Sequence, residues 1–484
     1  MNFQSFGFVG FFSLTLALCL GAGRRNRPLG QAVLLIASAV FYLWSFTSAA
    51  WWGWGVLLVG SSVTYGVCRH LISGRLRGRG RRRWFLLAIS YHVAVLLVFK
   101  YTGFFTGGAV AVGWAPLGLS FFTFQQLWFL KEVYTGEFPA AEMERVSGDS
   151  FTLFSFFFPT VTSGPILRPG AFFPQLKGEK FLRPDWEDAR AGLYAIALGC
   201  GKKVLLADSF GVIVNNGYAH LGELAAPSAA LVVLGYSLQL YFDFSGYCDM
   251  AAGIARLLGV RLPLNFDSPY RSLSVTEFWK RWHITLTTFL RECLYFPLGG
   301  SRRGAARTYL NIMIVFLVSG FWHGAGWTFL LWGAIHGACQ VAERLWGSRR
   351  DRLPKAVRWA LTFAVVNIAW VYFRAPTVAA GNSVLRALFS LRMERPDKWL
   401  VSGLFASEMD AVRILLPSLT PWLNTILILG LYGVGLMVIA MPRSAVRRMD
   451  AFRPTWWRAA GLAAVLVWSV LSFSGITTFI YSNF

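Results

Sequence analysis

The sequence predicts an all-α, polytopic membrane protein, and three observations carry that prediction. Of 484 residues, 55% are hydrophobic and only 14% charged, against about a quarter charged in an average soluble domain. Apolar runs approaching the roughly 20 residues that span a bilayer recur from end to end. Lys plus Arg total 46 against 23 Asp plus Glu, a formal charge of +23, and in so apolar a chain such an excess gathers in cytoplasmic loops. The expected surroundings are membrane lipid, with no nucleic-acid partner.

The first run, FQSFGFVGFFSLTLALCLGAG, has no basic residue before it and no small-residue cleavage pattern. It is expected to be a first span rather than a removable signal peptide. Further runs lie at 31–46, 51–68, 84–104, 109–130, 151–166, 225–242, 311–322, 327–341, 361–373, 426–440 and 459–473, for about eleven to thirteen transmembrane or re-entrant helices. No solenoid period or soluble domain is visible, so residues 1–484 are expected to form one integral-membrane domain. Arg24, Arg25 and Arg27 follow the first run, and seven arginines between Arg69 and Arg83 follow the third. Both loops are predicted on the cytoplasmic side, which puts the N-terminus outside. Between Asn265 and Arg307, Trp, Phe and Leu mix with Lys280, Arg281, Arg291, Arg302, Arg303 and Arg307, the texture of an interfacial or re-entrant helix. Cys19, Cys68, Cys200, Cys248, Cys293 and Cys339 show no pair at metal-ligand spacing and are expected to be packing residues.

SGFWHGAGWTFLLWGAIHGACQ, Ser319 to Gln340, sets two histidines and repeated glycines in apolar sequence. Arg302 to Arg307 precede it and Arg344, Arg349, Arg350 and Arg352 follow, which predicts a helical hairpin with both ends cytoplasmic. The turn falls at Gly324-Ala325-Gly326, where glycine permits the reversal. Counting ~15 residues from Thr308 to His323 and ~13 from Arg349 back to His336, at 1.5 Å each, gives both imidazoles a depth of ~20 Å and predicts a shared cavity. Gly320 and Gly324, then Gly333 and Gly337, bracket the histidines at four-residue spacing and clear a helix face for a backbone or a ligand. Two readings stay open: histidines hydrogen-bonded across tightly packed helices, or a neutral imidazole acting as a base in a low-dielectric cavity. No neighbouring Cys, Asp or Glu completes a coordination shell, so no metal is expected.

The stretch YFDFSGYCDMAAGIARLLGVRLPLNFDSPYRSLSVTEFWKRWHITLTTFLRECLYFPLGG, followed by SGFWHGAGWTFLLWGAIHG, resembles the membrane-bound O-acyltransferases, in particular the bacterial branch of the alginate O-acetylation and teichoic-acid D-alanine transfer proteins. The likeness is dense over residues 241–337, with weaker echoes in FFFPTVTSGPILRP (Phe156–Pro169) and WVYFRAPT (Trp370–Thr377). It implies a fold with a thin centre crossed by a tunnel, no cofactor, and an acyl donor, acetyl-CoA or an acylated carrier protein, arriving from the cytoplasm. It also implies that His323 of the WHG motif, flanked by Trp322 and Gly324, is catalytic, that His283 of RWH is the second implicated residue, and that His336 supports. The expected partner is a periplasmic SGNH-type acetyltransferase or polysaccharide-modification complex, and the expected location the bacterial inner membrane. The chain departs from the family pattern at Glu292 and Cys293, within FLRECLYFPLGG, and at Cys248, where the family tends to have serine.

The chemistry follows from residue types. His323 is the expected general base on an incoming hydroxyl. Lys280, Arg281 and Arg291 suit the phosphates of coenzyme A, and equally a positive-inside rim snorkelling to anionic lipid. Asp243 and Asp249 are expected to be hydrogen-bonded structural groups, since an unpaired intramembrane charge is expensive. The expected activity is O-acetylation of an exported polysaccharide: alginate-like, cellulose or peptidoglycan. D-alanyl transfer from a carrier protein is the alternative, and a proton-relaying transporter a further one, though no internal symmetry supports it.

Overall fold

The helix order follows the apolar runs. The computed structural model describes residues 3–44, 51–74, 77–110 and 115–475; residues 45–46 of the 31–46 run, 111–114 of the 109–130 run and Arg75 of the basic loop lie outside them. Among the described residues there is no strand. Seven described helices are long and apolar enough to cross a membrane by length and composition: Phe6–Arg25, Arg27–Trp44, Trp52–Ile72, Gly78–Phe105, Ala305–His323, Lys355–Arg374 and Pro417–Ala440. The remaining runs become shorter or more polar helices. The 151–166 run is helical only over Gly148–Phe156 and then breaks into turns.

The centre is the 32-residue helix Ala226–Leu257, about 48 Å long at 1.5 Å per residue, whose residues from Tyr236 to Leu257 are all buried. It lies against Trp186–Cys200 at backbone distance. A Cβ on Gly246 would sit 2.8 Å from the carbonyl oxygen of Gly199, and one on Gly253 2.5 Å from that of Gly192. Close approach of this kind is the helix-packing mode of membrane proteins. The carboxylates of this helix are paired. Asp249 meets Lys202 at 2.6 Å, and Asp243 meets Lys203 at 2.7 Å. Both lysines sit on the π-helical segment Gly201–Ala207, so two buried ion pairs lock a local widening of one helix onto the next.

Ala305–His323 and Trp327–Trp346 form the expected hairpin. A Cβ on Gly320 would lie 2.3 Å from the carbonyl oxygen of Phe329, and one on Gly333 2.3 Å from that of Phe316. The reason for glycine at the turn differs from the expected one. Gly324 and Gly326 have φ of −169° and −156°, extended values open to any residue; Gly324 is required because a Cβ there would enter the ring of Phe329, at 2.1 Å.

The segment 265–307 is broken into short helices, Val275–Arg281 and Ile284–Leu290, packed beside the hairpin. Ser274 caps the first, accepting the N–H of Glu277 at 2.9 Å, while Glu277 accepts that of Leu273, the residue before the cap, at 2.9 Å. Glu343 of the second hairpin arm adds its carboxylate to the same N-terminus, taking the N–H groups of Val275 and Thr276 at 2.5 and 3.0 Å.

Candidate active site

Five stretches of chain converge on the end of the first hairpin arm. His323 is its last helical residue and is buried. Its ring lies 5.0 Å from Phe373 and 5.1 Å from Trp332, both roughly edge-on. The preceding Trp322 stacks on Phe124 at 5.0 Å and reaches the imidazole of His283 at 6.5 Å. Lys100 donates from Nζ to the carbonyl of Trp322, and Tyr101 donates to that of Phe321 at 2.8 Å. Two consecutive residues of Gly78–Phe105 thereby cap carbonyls that the helix end leaves without intrahelical partners. The Lys100 ammonium lies 5.5 Å from the Trp322 ring centroid, a cation–π distance, and within electrostatic reach of His323, as is His283.

His283 arrives by an abrupt change of backbone. Lys280 is exposed, Arg281 partly so, and three residues after Lys280 the imidazole is fully buried. The turn is made by His283 itself, at φ 44° and ψ 55°, a left-handed conformation that costs a non-glycine residue roughly 1–2 kcal/mol. It is held from both sides, by Asp267 N–H to Arg281 carbonyl at 2.9 Å and Ile284 N–H to Asn265 carbonyl at 3.0 Å. The side chain of Asn265 fixes the tautomer. Its Oδ1 accepts from the Thr285 amide at 3.2 Å and the Thr285 hydroxyl at 2.9 Å, so it must be the oxygen, and His283 Nδ1 at 3.2 Å must carry the proton it shares. The other nitrogen, Nε2, keeps its lone pair and has no hydrogen-bond partner among the described residues.

His336 occupies a different compartment. Trp279 donates from Nε1 to His336 Nδ1 at 3.2 Å, and Trp332 stands between the two histidines with its centroid 5.1 Å from each. The equal depths expected from counting do not hold. Gly337 packs on Met313 and Phe316, which places His336 level with a residue seven positions before His323, about 10 Å along the axis. Counting started from Thr308 and Arg349, but the arms begin at Ala305 and end at Trp346, so His323 lies 18 positions in from the open end of its arm and His336 only ten from the open end of the other. The two rings share one tryptophan wall rather than one cavity.

A cavity of about 170 Å³ enters from the basic side of this assembly. Lys280, Arg291 and Arg344 line its exposed mouth, and Trp279, Phe316 and Ser319 its buried end. Ser319 is one helical turn before His323, and Trp279 is the hydrogen-bond donor to His336. Of the three cations singled out in the sequence, Arg281 is outside this cavity; its guanidinium is spent on Glu277 at 2.8 Å and on the Asp267 carbonyl at 3.3 Å. Arg344 takes its place at the mouth.

The departures from the family pattern are accommodated. Glu292 accepts from Trp128 Nε1 at 3.2 Å and faces Arg168 at 3.3 Å. Cys248 accepts from the Asn265 amide at 3.4 Å, a weak sulfur acceptor in a place that suits a hydroxyl. Glu132, Glu137 and Glu292 cluster closely, but Arg168 and Lys131 already answer their charge, at 2.6 and 2.5 Å for the nearest pairs.

The model of the membrane-bound O-acyltransferase family matches residues 82–381, more than half of the chain. The chain belongs to the membrane-bound O-acyltransferase family. It is 35% identical over 427 residues to a peptidoglycan O-acetyltransferase of Helicobacter pylori, covering 80% of this chain and 78% of that one. It is 34% identical over 423 residues to the probable alginate O-acetylase AlgI of Pseudomonas putida, covering 84% and 82%. A teichoic acid D-alanyltransferase of Streptococcus thermophilus is more distant, 27% over 300 residues, covering 58% and 69%.

In this membrane-bound O-acyltransferase, an enzyme and a multi-pass membrane protein, the two weaker sequence echoes acquire a place. WVYFRAPT supplies Phe373 against His323 and Trp370 beside His336, at 5.0 and 6.1 Å. FFFPTVTSGPILRP supplies the Ile166 amide that donates to the Thr285 hydroxyl at 3.2 Å, one step from Asn265. The sequence reading missed Lys100 and Asn265. Lys100 left a usable signal, as the one charge in the 84–104 run; Asn265, in a polar loop, left none.

Proposed function

We propose that this O-acyltransferase takes acetyl from acetyl-CoA at the cytoplasmic face of the bacterial inner membrane and moves it outward for O-acetylation of an exported polysaccharide. The observation that carries this reading is the placement of His323. It ends a helix one turn beyond a cavity whose mouth is cationic and whose inner end is apolar. Fixed Lys and Arg groups suit the phosphates of coenzyme A, and an apolar throat suits its thioester arm. The relatives named for O-acetylation of peptidoglycan and of alginate support acetyl and a glycan acceptor. The basic clusters after the first and third helices support a periplasmic N-terminus, with 1–484 acting as one membrane domain. A separate periplasmic SGNH-type acetyltransferase would complete delivery.

In the reaction, His323 takes the proton of the incoming hydroxyl as its oxygen bonds to the thioester carbon. The carbon–sulfur bond then breaks and the coenzyme leaves as thiol, carrying a proton equivalent to the one removed. His283, with Nε2 bare and its tautomer set by Asn265, positions the donor thioester. General base catalysis of this kind is worth about 10²–10⁴ in rate. The test is acetyl-CoA consumption by purified protein with an acceptor hydroxyl. His323→Ala should abolish it at unchanged thermal stability, and undiminished turnover in that variant would remove His323 from the mechanism.

A further inference from the structure

A second cavity, of about 210 Å³, lies on another flank of Trp327–Trp346, between it and Lys355–Arg374. Its apolar lining comes from Leu273, buried Val275, Val365 and half-exposed Leu361, and the largely buried side chains of Arg350 and Arg358 line it beside them. The Nε atoms of both arginines are buried without a hydrogen-bond partner among the described residues. The acids nearby do not satisfy them. Glu343 gives its carboxylate to the amides of Val275 and Thr276 and stays 3.6 Å from Arg350. Asp351, more than half exposed, meets Arg358 at 3.0 Å and Arg350 at 3.8 Å through the terminal nitrogens. From residue 343 to 358 the chain carries six Lys or Arg against these two acids. Trp346 and Trp359 are exposed beside the cavity, as aromatic residues at a membrane interface are.

An apolar recess beneath two under-used guanidinium groups, at the lipid-facing junction of two helices, has the chemistry of an amphiphile with an anionic head. We propose that this cavity binds an anionic phospholipid from the leaflet on the side of the basic loops, its phosphate on Arg350 and Arg358 and the start of one acyl chain against Leu361 and Val365. Basic pockets between helices recognise lipid phosphates in this way. The site is separate from the cavity that leads towards His323 and does not depend on the donor assigned to it.

The experiment uses the full-length protein in nanodiscs with spin-labelled phosphatidylglycerol or phosphatidylcholine, reading the motionally restricted lipid fraction by electron paramagnetic resonance. The wild type should hold phosphatidylglycerol preferentially. Arg350→Ala and Arg358→Ala should each lower that preference about fivefold, as expected for one basic group near a lipid phosphate. Arg349→Ala with Arg352→Ala, on exposed residues outside the cavity, should leave most of it. Should Arg350→Ala or Arg358→Ala prove unstable, Val365→Phe fills the recess, keeps both arginines and should release the restricted lipid. The proposal is overturned if the cavity-lining variants keep the preference, if the outer pair abolishes it equally, or if inorganic phosphate displaces the lipid, which would make this a site for soluble anions.

Discussion

Replacing Gly320 by alanine tests the hairpin and the site together. The new Cβ would lie 2.3 Å from the carbonyl oxygen of Phe329, and ordinary contact begins at 3.4 Å. The obstacle is a backbone carbonyl in the first turn of the second arm, so no side chain can swing aside and the arms must part by about 1 Å. Overpacking of this size costs about 1–3 kcal/mol. The chemical cost is larger, because His323 is carried by one arm and Trp332 by the other, and a displacement of about 1 Å at a catalytic constellation lowers rate by on the order of 10²-fold. Gly326→Ala is the matched control: its φ of −156° accepts a side chain, and its Cβ would touch Phe329 at an ordinary 3.5 Å. Acetyl-CoA turnover and detergent-solubilised melting temperature, measured on both, should show Gly320→Ala losing about two decades of rate with a modest fall in stability and Gly326→Ala losing neither. Equal turnover in the two variants would refute the claim that backbone contact between the arms sets the position of His323.

Trp279→Phe keeps an aromatic side chain but removes the donor to His336, leaving a buried acceptor unanswered; thermal unfolding should report a loss of about 1–3 kcal/mol. Lys280→Ala and Arg291→Ala should each raise KM for acetyl-CoA about fivefold, by the roughly 1 kcal/mol a partly exposed cation contributes, whereas Arg281→Ala, already paired with Glu277, should leave it unchanged. Asn265→Ala should lower kcat about tenfold or more, because a misoriented His283 no longer holds the donor thioester in line with the incoming hydroxyl. Lys202→Met should cost about 3–5 kcal/mol by stranding Asp249; adding Asp249→Leu should restore most of it, as read by the yield of folded protein and its melting temperature.

What was legible in the sequence was local. The hairpin followed from charges on either side of an apolar segment, and its close packing from glycines spaced four apart, because both patterns lie within one stretch of chain. Asp243 and Asp249 were legible as paired groups because the bilayer leaves a carboxylate few alternatives, although their partners, Lys202 and Lys203, were not. The relative depth of His323 and His336 was not legible, because register depends on where each helix ends, and those ends are set by contacts such as Glu343 on Val275. The anchoring of Trp322 by Lys100 joins residues 222 positions apart, and no periodicity encodes such a pairing. Of the turn glycines, Gly324 is constrained by the ring of Phe329, a packing fact, rather than by a backbone angle, and Gly326 by neither.

The left-handed elbow at His283 has a consequence for how the cavity mouth is joined to the buried site. Lys280 stands in the open and the imidazole three residues on is sealed in the interior, with main-chain hydrogen bonds pinning the strip at Arg281 and Ile284. A strip fastened at both points has no slack, so the spacing between the ammonium at the cavity mouth and the ring inside is set by main chain rather than by the packing of side chains.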